Sequence, residues 1–262
     1  MRPTPVSGLN PCIVIPVFNH GAAIGRVLER LRPYGLPCWL IDDGSDRDCA
    51  NTLQHLAAEQ PDWIRLERLP HNQGKGAAFH HGLRCAQQAG HSHVIQIDAD
   101  GQHAPEDLPR LLAAAEDRPD AIISGVPIYD ESVPRIRLYG RYLTHVWVWI
   151  NTASLQIQDS MCGFRIYPVT FTAALMQRNR IGHRMEFDTD ILVHAYWDGA
   201  PVVNVPTRVR YPEDGVSHFR MLRDNARISG MHARLFFKML WRRFGLGRRI
   251  KPAPRLTSSG KN

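Results

Sequence analysis

Two aspartates separated by a single residue, Asp98 and Asp100, close an apolar run in the stretch HVIQIDADGQHAPEDL. On extended backbone, residues i and i+2 share a face, so both carboxylates can point the same way while Gly101 lets the chain turn sharply behind them. Two carboxylates that meet in this manner can share one cation. Their hard oxygens favour Mg²⁺ or Mn²⁺, ions that keep coordination positions for water and substrate phosphate, and Gln102 or His103 can complete the shell. Such a cation neutralises charge growing on a departing diphosphate, as Lewis acid and template. Glu106 and Asp107 follow Pro105 at a helix start, where acids complement the helix dipole, and they read as structural.

Other residues with chemical potential gather elsewhere. Asn19-His20 and Asp42-Asp43-Gly44-Ser45 end two further apolar runs. HNQGKGAAFHHGL puts Gly74, Lys75 and Gly76 at a helix start, where free backbone amides and an ammonium can face an anion. The spacing is not that of a Walker loop, and His80 and His81 read as a pair on the helix surface. In MEFDTDIL, Asp188 and Asp190 follow Glu186 at another helix start. Dipole complementarity explains them; so would a general base within reach of an attacking hydroxyl. No Ser-His-Asp order or nucleophile elbow appears, which leaves a hydrolase without support.

Positioning these groups falls to alternating elements. Residues 12–18, 38–43, 63–69, 93–98 and 121–125 are β-rich runs, and residues 22–31, 48–59, 76–89 and 105–117 carry apolar side chains at helical spacing. The alternation predicts an α/β fold with a mostly parallel sheet and helices on both faces. Ligands in such sheets sit beyond the carboxyl ends of the strands, where the clusters at 19–20, 42–45 and 98–100 should converge. Past Gly125 the alternation stops. Residues 136–154 read as an aromatic-rich amphipathic helix, 161–168 as a strand entering a Pro-started helix, and 188–197 as a helix. Residues 201–209 read as a strand, 211–218 as a polar loop and 219–244 as a helix.

A chain of 262 residues with 44% hydrophobic content can bury one sizeable core, so two large domains are not expected. Residues 1–10 have no apolar signal core, and no stretch approaches the roughly 18 apolar residues of a spanning helix, so neither export nor a membrane anchor is expected. Cys12, Cys38, Cys49, Cys85 and Cys162 are scattered without a CxxC pair. That argues against a disulfide framework or zinc site and for a reducing compartment. The net charge of +7 is unevenly spread: residues 219–251 hold ten lysines and arginines against one acid, Asp224, and the remainder is slightly acidic. A basic terminal segment on a near-neutral body suggests an anionic partner, membrane or nucleic acid.

In order along the chain, IPVFNH, DDGS, NQGKGAA, IDADGQHAPEDL and DSMCGFRIYP resemble glycosyltransferase family 2, in particular its polyprenyl-phosphate mannose and glucose synthase branch, over residues 11–209. The resemblance implies a GT-A fold and inverting transfer of a hexose from a UDP- or GDP-sugar to a lipid-linked acceptor. Polyprenyl phosphate is the first acceptor it implies; a hydroxylated lipid or carrier-bound intermediate is the second. It further implies that Pro16, Phe18, Ile41 and Asp43 form the nucleoside pocket and that Gly74 and Lys75 border the donor. Asp98, Ala99 and Asp100 would hold the diphosphate, with Asp98, Asp100 and Gln102 as ligands of Mg²⁺ or Mn²⁺. Asp188 and Asp190 would be the catalytic carboxylates on the acceptor side. The branch usually carries an arginine near Pro127 and a serine-lysine where this chain has Ser217-His218, so two phosphate-binding cations are missing from their places. Arg135, Arg137, Arg141, Arg165, Arg208 and Arg210 are the candidates to replace them.

These readings divide the chain into an N-terminal tail (1–10), a GT-A domain (11–218), a basic amphipathic helix region (219–251) and a disordered tail (252–262). The helix region mixes Leu235, Phe236, Phe237, Met239, Leu240, Trp241 and Phe244 with Arg234, Lys238, Arg242 and Arg243. That composition suits an anionic membrane interface; packing against the domain is the alternative. The expectation is a cytoplasmic enzyme, peripheral at the inner face of the membrane, that binds no nucleic acid. A nucleotidyltransferase would need a GxGxRxxP-type opening after the first strand, which is absent. A nucleic-acid-binding module has charge alone in its favour, with no helix-turn-helix, RRM or zinc pattern.

Overall fold

The computed structural model describes residues 8–129, 135–209 and 221–244. Expectations attached to Arg210, His218, the loop at 211–218 and the tail at 252–262 lie outside these residues. Strand β1 (Pro11–Val17) sends Cys12 and Val14 to one face of a sheet and Ile13, Ile15 and Val17 to the other. Helices cover both faces, which is why the strand reads as an unbroken apolar run. On one side, α1 (Gly21–Leu31), α2 (Arg47–Glu59) and α4 (Leu108–Asp117) contribute Ile24, Leu28, Leu53 and Leu111 to one core. On the other, α3 (Lys75–Gln88), α6 (Val169–Arg178) and α7 (Phe187–Trp197) contribute Phe79, Leu175 and Ile191 to a second. Helices α5 (Arg135–Thr152) and α8 (Met221–Arg243) join that second core through Val148 and Leu235.

The sheet also contains β2 (Cys38–Asp42), β3 (Ile64–Arg68), β4 (His93–Gln96), β5 (Ile122–Ile128), β6 (Arg165–Pro168) and β7 (Val202–Arg208), in the order β3-β2-β1-β4-β6-β5-β7. All pairings are parallel except those of β6, which runs antiparallel to β4 and to β5. Strand order reverses between β1 and β4, the position where an open α/β sheet forms its ligand crevice. Because β6 runs the other way, it begins beside the end of β4, with Arg165 opposite both Gln96 and Ser124.

Local chemistry locks the crevice rim. Asn19, at φ 55°, donates its backbone N–H to Ser45 Oγ (3.0 Å) and accepts from the Asp46 backbone with Oδ1 (2.8 Å), tying the exit of β1 to that of β2. Asp46 caps α2 by accepting from Cys49 N at 2.9 Å. Gly44 has φ 68°, and a Cβ there would collide with the backbone of His71 and Asn72, so this turn needs glycine on two counts.

The C-terminal helix is oriented differently from a basic interfacial helix. Met231, Leu235 and Met239 are buried, and Arg234, Lys238 and Arg242 turn to the protein beside them. Arg234 donates to Asp190 and to Arg180 O, Lys238 to Asn179 Oδ1 (3.0 Å), and Arg242 to Trp197 O (2.8 Å). Phe237, Trp241 and Phe244 are its large apolar residues left outward, at 68%, 58% and 74% exposure, alongside exposed Arg223 and Arg243. Among the described residues no helix is long and apolar enough to cross a membrane.

Candidate active site

Asp98, Asp100 and Gln102 line one cleft at the carboxyl edge of the sheet, together with Pro127, Arg141 and Gly163. The turn that presents the two acids is fixed by the Gln102 N–H, which donates to Asp100 Oδ1 (3.0 Å), and by Ala99, whose side chain is buried in the core between them. Asp98 is held from two sides, by Lys75 Nζ at 2.7 Å on Oδ1 and by His103 Nε2 at 3.3 Å on Oδ2. Burial works to raise its pKa, but Lys75 and His103 outweigh it and hold the carboxyl well below the usual carboxylate range. Behind it stands Gly163, where any Cβ would collide with both oxygens of Asp98 and with Lys75 Nζ. Gly163 lies within DSMCGFRIYP, where the sequence alone assigns it no role. A glycine at the mouth of a strand is a signal for close approach, and here the approaching group is the acid itself.

Lys75 continues inward. Its ammonium also contacts Asp188 Oδ2 at 2.6 Å, and Asp188 Oδ1 accepts from Gln96 Nε2 at 2.8 Å. Arg165, fully buried, donates to the Asp188 carbonyl (2.6 Å) and to Tyr167 Oη (3.2 Å). Asp188 is therefore 7% exposed and stands behind Lys75, not in the cleft as a base. Asp190 is farther from that role. Its carboxylate is fully buried, accepts from Gly182 N (2.7 Å) and Arg234, and lies 3.1 Å from His194 Nδ1, all on the side of α8. The placement of both as acceptor-side catalytic carboxylates is corrected accordingly: the helix turns one toward the site's support and the other away from it.

At the exit of β2, Asp43 accepts from Gln73 N (2.7 Å), Gly74 N (2.8 Å) and Asn72 Nδ2 (2.9 Å). Burial pushes its carboxyl up, against the Gln73 and Gly74 backbone amides and nearby Arg184, which pull it down. Arg184 donates to Asn72 Oδ1 at 2.6 Å and so clasps the segment before α7 onto this loop. Gly74, at φ 105°, supplies the tight passage from Asp43 to Lys75. Pro16 and Phe18 are half-buried along β1 and just past its end. Ile41 does not belong with them. It is fully buried in the core on the α3 side, against the position where a Cβ on Gly82 would fall, so contrary to expectation it does not line a nucleoside pocket.

The remaining cations sort by reach. Arg141 lines the cleft and is aimed by Asp159, which accepts from Arg141 Nε and Nη2 (2.6 and 2.7 Å) and from the backbone N–H groups of Met161 and Cys162. Asp159, missed in the sequence, thereby fixes the arginine and the loop leading to Gly163. Arg165 is buried and engaged as described, and Arg208, exposed, meets Asp107 Oδ2 through its backbone N–H. The side chains of Arg135 and Arg137 lie outside the described residues. Glu106 and Asp107 have the structural roles expected, paired with Arg30 and Arg110.

Residues 12–181 match the model of glycosyl transferase family 2. The chain belongs to that family. A polyprenol monophosphomannose synthase of Mycolicibacterium smegmatis is 28% identical over 78% of this glycosyltransferase and 79% of its own length. An undecaprenyl-phosphate 4-deoxy-4-formamido-L-arabinose transferase of Pseudomonas savastanoi is 34% identical over 67% of this chain, which spans about half the length of that relative, 52%. Among solved structures, glucosyl-3-phosphoglycerate synthase from Mycobacterium tuberculosis superposes with a TM-score of 0.61 at 18% identity, covering 91% of this chain and 81% of that one. A mannosyltransferase from Pyrobaculum calidifontis, in complex with GDP-Man and Mn²⁺, gives 0.51 at 15% identity over 79% and 58%. At such identities these structures establish the GT-A fold of the glycosyltransferase and nothing finer.

Proposed function

We propose that this family 2 glycosyltransferase moves a hexose, with inversion, from a nucleotide sugar to polyprenyl phosphate at a membrane surface. The observation that carries the reading is the single cleft lined by Asp98, Asp100 and Gln102 and also by Arg141. Two relatives named for polyprenol or undecaprenyl phosphate support the acceptor, and a mannosyltransferase of the same fold described with GDP-Man and Mn²⁺ supports the donor and cation.

The donor chemistry of the cleft fits Mg²⁺ or Mn²⁺, because carboxylate and amide oxygens are hard ligands. Among the described residues no three His, Cys, Asp or Glu side chains are grouped around a metal position. Asp98, Asp100 and Gln102 would thus be its few protein ligands, with diphosphate oxygens and water as the others. A bound cation offsets the charge that builds on the departing diphosphate. Asp43 and the loop folded onto it border the nucleoside. Pro127, where the branch usually has an arginine, lines the same cleft as Arg141, so Arg141 supplies the cation for the acceptor phosphate from a different element. A phosphate monoester is largely ionised at neutral pH, its second pKa being about 6. Its oxygen can attack without a general base, in keeping with the inward positions of Asp188 and Asp190.

Membrane contact, cytoplasmic and at the inner face, would come from the outward side chains of α8 and α5. Phe237 and Trp241 on α8, Phe244 just past its end, and Leu143, Trp147 and Ile150 on α5 recur at helical spacing and are exposed. A melting panel of GDP- and UDP-sugars with and without Mn²⁺ tests the site. One donor class should raise the midpoint by roughly 5 °C or more at a hundredfold excess over Kd, only with the ion, and Asp100→Asn should abolish the rise. Stabilisation that ignores the ion, or survives in Asp100→Asn, would contradict the metal assignment. Transfer from that donor to undecaprenyl phosphate in vesicles tests the acceptor.

A further inference from the structure

Lys75 stands between two carboxylates of different standing. One, Asp98, reaches the cleft with 26% of its side chain exposed; the other, Asp188, does not line the cleft and its side chain is 9% exposed. The ammonium contacts both at nearly equal length, 2.7 and 2.6 Å. Asp188 is fixed independently of Lys75, by Gln96 Nε2 on its other oxygen and by Arg165 on its carbonyl. It is thus a stationary anchor for a flexible cation. Gly163 closes the remaining side, since even a methyl group there would collide with Asp98 and Lys75 together. The lysine, its side chain 20% exposed, is thus shared between the two acids.

We propose that Lys75 is a built-in competitor for the cation at Asp98, and that Asp188 sets how strongly it competes. With Asp188 anionic, Lys75 is shared, and a divalent ion gains Asp98 when donor phosphates add their own negative charge. Without Asp188, Lys75 falls wholly to Asp98 and the site becomes one charge more positive, which disfavours a divalent ion. Without Lys75, both acids are released and the ion binds without a nucleotide. Lys75 therefore makes the ion arrive with the donor and not ahead of it. Asp188 acts through Lys75 as a positioning residue. This rests on the reading of Asp98 and Asp100 as cation ligands.

The test is binding of Mn²⁺ alone to the full chain, read from the electron paramagnetic resonance signal of the free ion, with melting curves to verify folding. Relative to the unmodified chain, Asp188→Asn should bind Mn²⁺ roughly tenfold more weakly and Lys75→Met roughly tenfold more tightly. The double variant should bind only slightly more weakly than Lys75→Met, because once the lysine is gone Asp188 keeps only its direct attraction for the ion and no longer governs a competitor. An Asp188→Asn protein with unchanged affinity, or an equal loss in the Lys75→Met background, would overturn the proposal. Should Asp188→Asn fail to fold, Lys75→Met decides alone: tighter binding supports the competitor, and unchanged or weaker binding refutes it. Absence of Mn²⁺ binding in every form, with or without GDP or UDP, would instead bring down the cation reading itself, and the competitor with it.

Discussion

Asp98-Ala99-Asp100 and Asp188-Thr189-Asp190 share a spacing but not a backbone. The first follows β4 and turns at Gly101, φ 75°, so both acids line one cleft while Ala99 packs inward. The second opens α7, where positions two apart are separated by about 200° around the axis. Its acids leave on different sides, Asp188 toward Lys75 and Asp190 toward Arg234 and His194. A pair of acids at this interval converges on extended or turning chain and diverges on a helix. Only the first can act as one site; the second joins the site to the C-terminal helix.

The largest effect should come from breaking the converging pair. Asp100→Asn should lower sugar transfer by about 10²–10³-fold with an unchanged melting midpoint, since this acid is only half-buried. Retained transfer would mean that Asp98 and Asp100 do not work together. Gly163→Ala probes the same pair from behind and should cost roughly 10²-fold in kcat through displacement of Asp98. Gly140→Ala, where a Cβ meets nothing within 4 Å, is the matched control and should leave kcat unchanged.

Asp190→Asn tests the diverging pair. Arg234 and His194 lose a buried partner, so stability should fall by about 3–5 kcal/mol and the midpoint by roughly 10 °C. The transfer rate of the folded fraction should persist. A lost rate with intact stability would make Asp190 catalytic and erase the contrast. The smallest effect concerns His232, buried on α8 against Trp147, whose ring burial pulls down to about 4 even though Asp190 acts to raise it. The unfolded chain takes up this proton near pH 6.5, the folded chain only near 4, so stability is complete above that window and declines as pH falls through it. His232→Gln should flatten the decline, by about 1–2 kcal/mol at pH 5, in denaturant titrations compared between pH 7 and pH 5.

Much of the donor half was legible because its information is local. Apolar runs and apolar side chains at helical spacing put β1 to β5 and α1 to α4 within a few residues of their observed limits. The rest depended on long-range docking. Four residues, Arg165–Pro168, carry no mark of strand direction, so the reversal of β6 was invisible and Gly163 lacked its meaning. Ile41 sits two positions before Asp43, yet Asp43 lies past the strand end while Ile41 still alternates into the core. The basic residues of α8 looked like a solvent or lipid face because composition does not reveal that Asp190, Asn179 and Trp197 lie opposite them.

The reversal of β6 has an architectural result. The chain leaves the sheet at Ile128 and re-enters at Arg165 on the same rim, so the described residues between belong to one excursion from a single edge. It carries Arg141 and Asp159, and its described residues contribute no strand to the sheet. Such a cassette can be exchanged or lengthened without disturbing strand order, provided that Gly163 is kept at its downstream boundary. If Arg141 meets the acceptor phosphate as proposed, recognition of the second substrate can change within this excursion while strand order stays fixed.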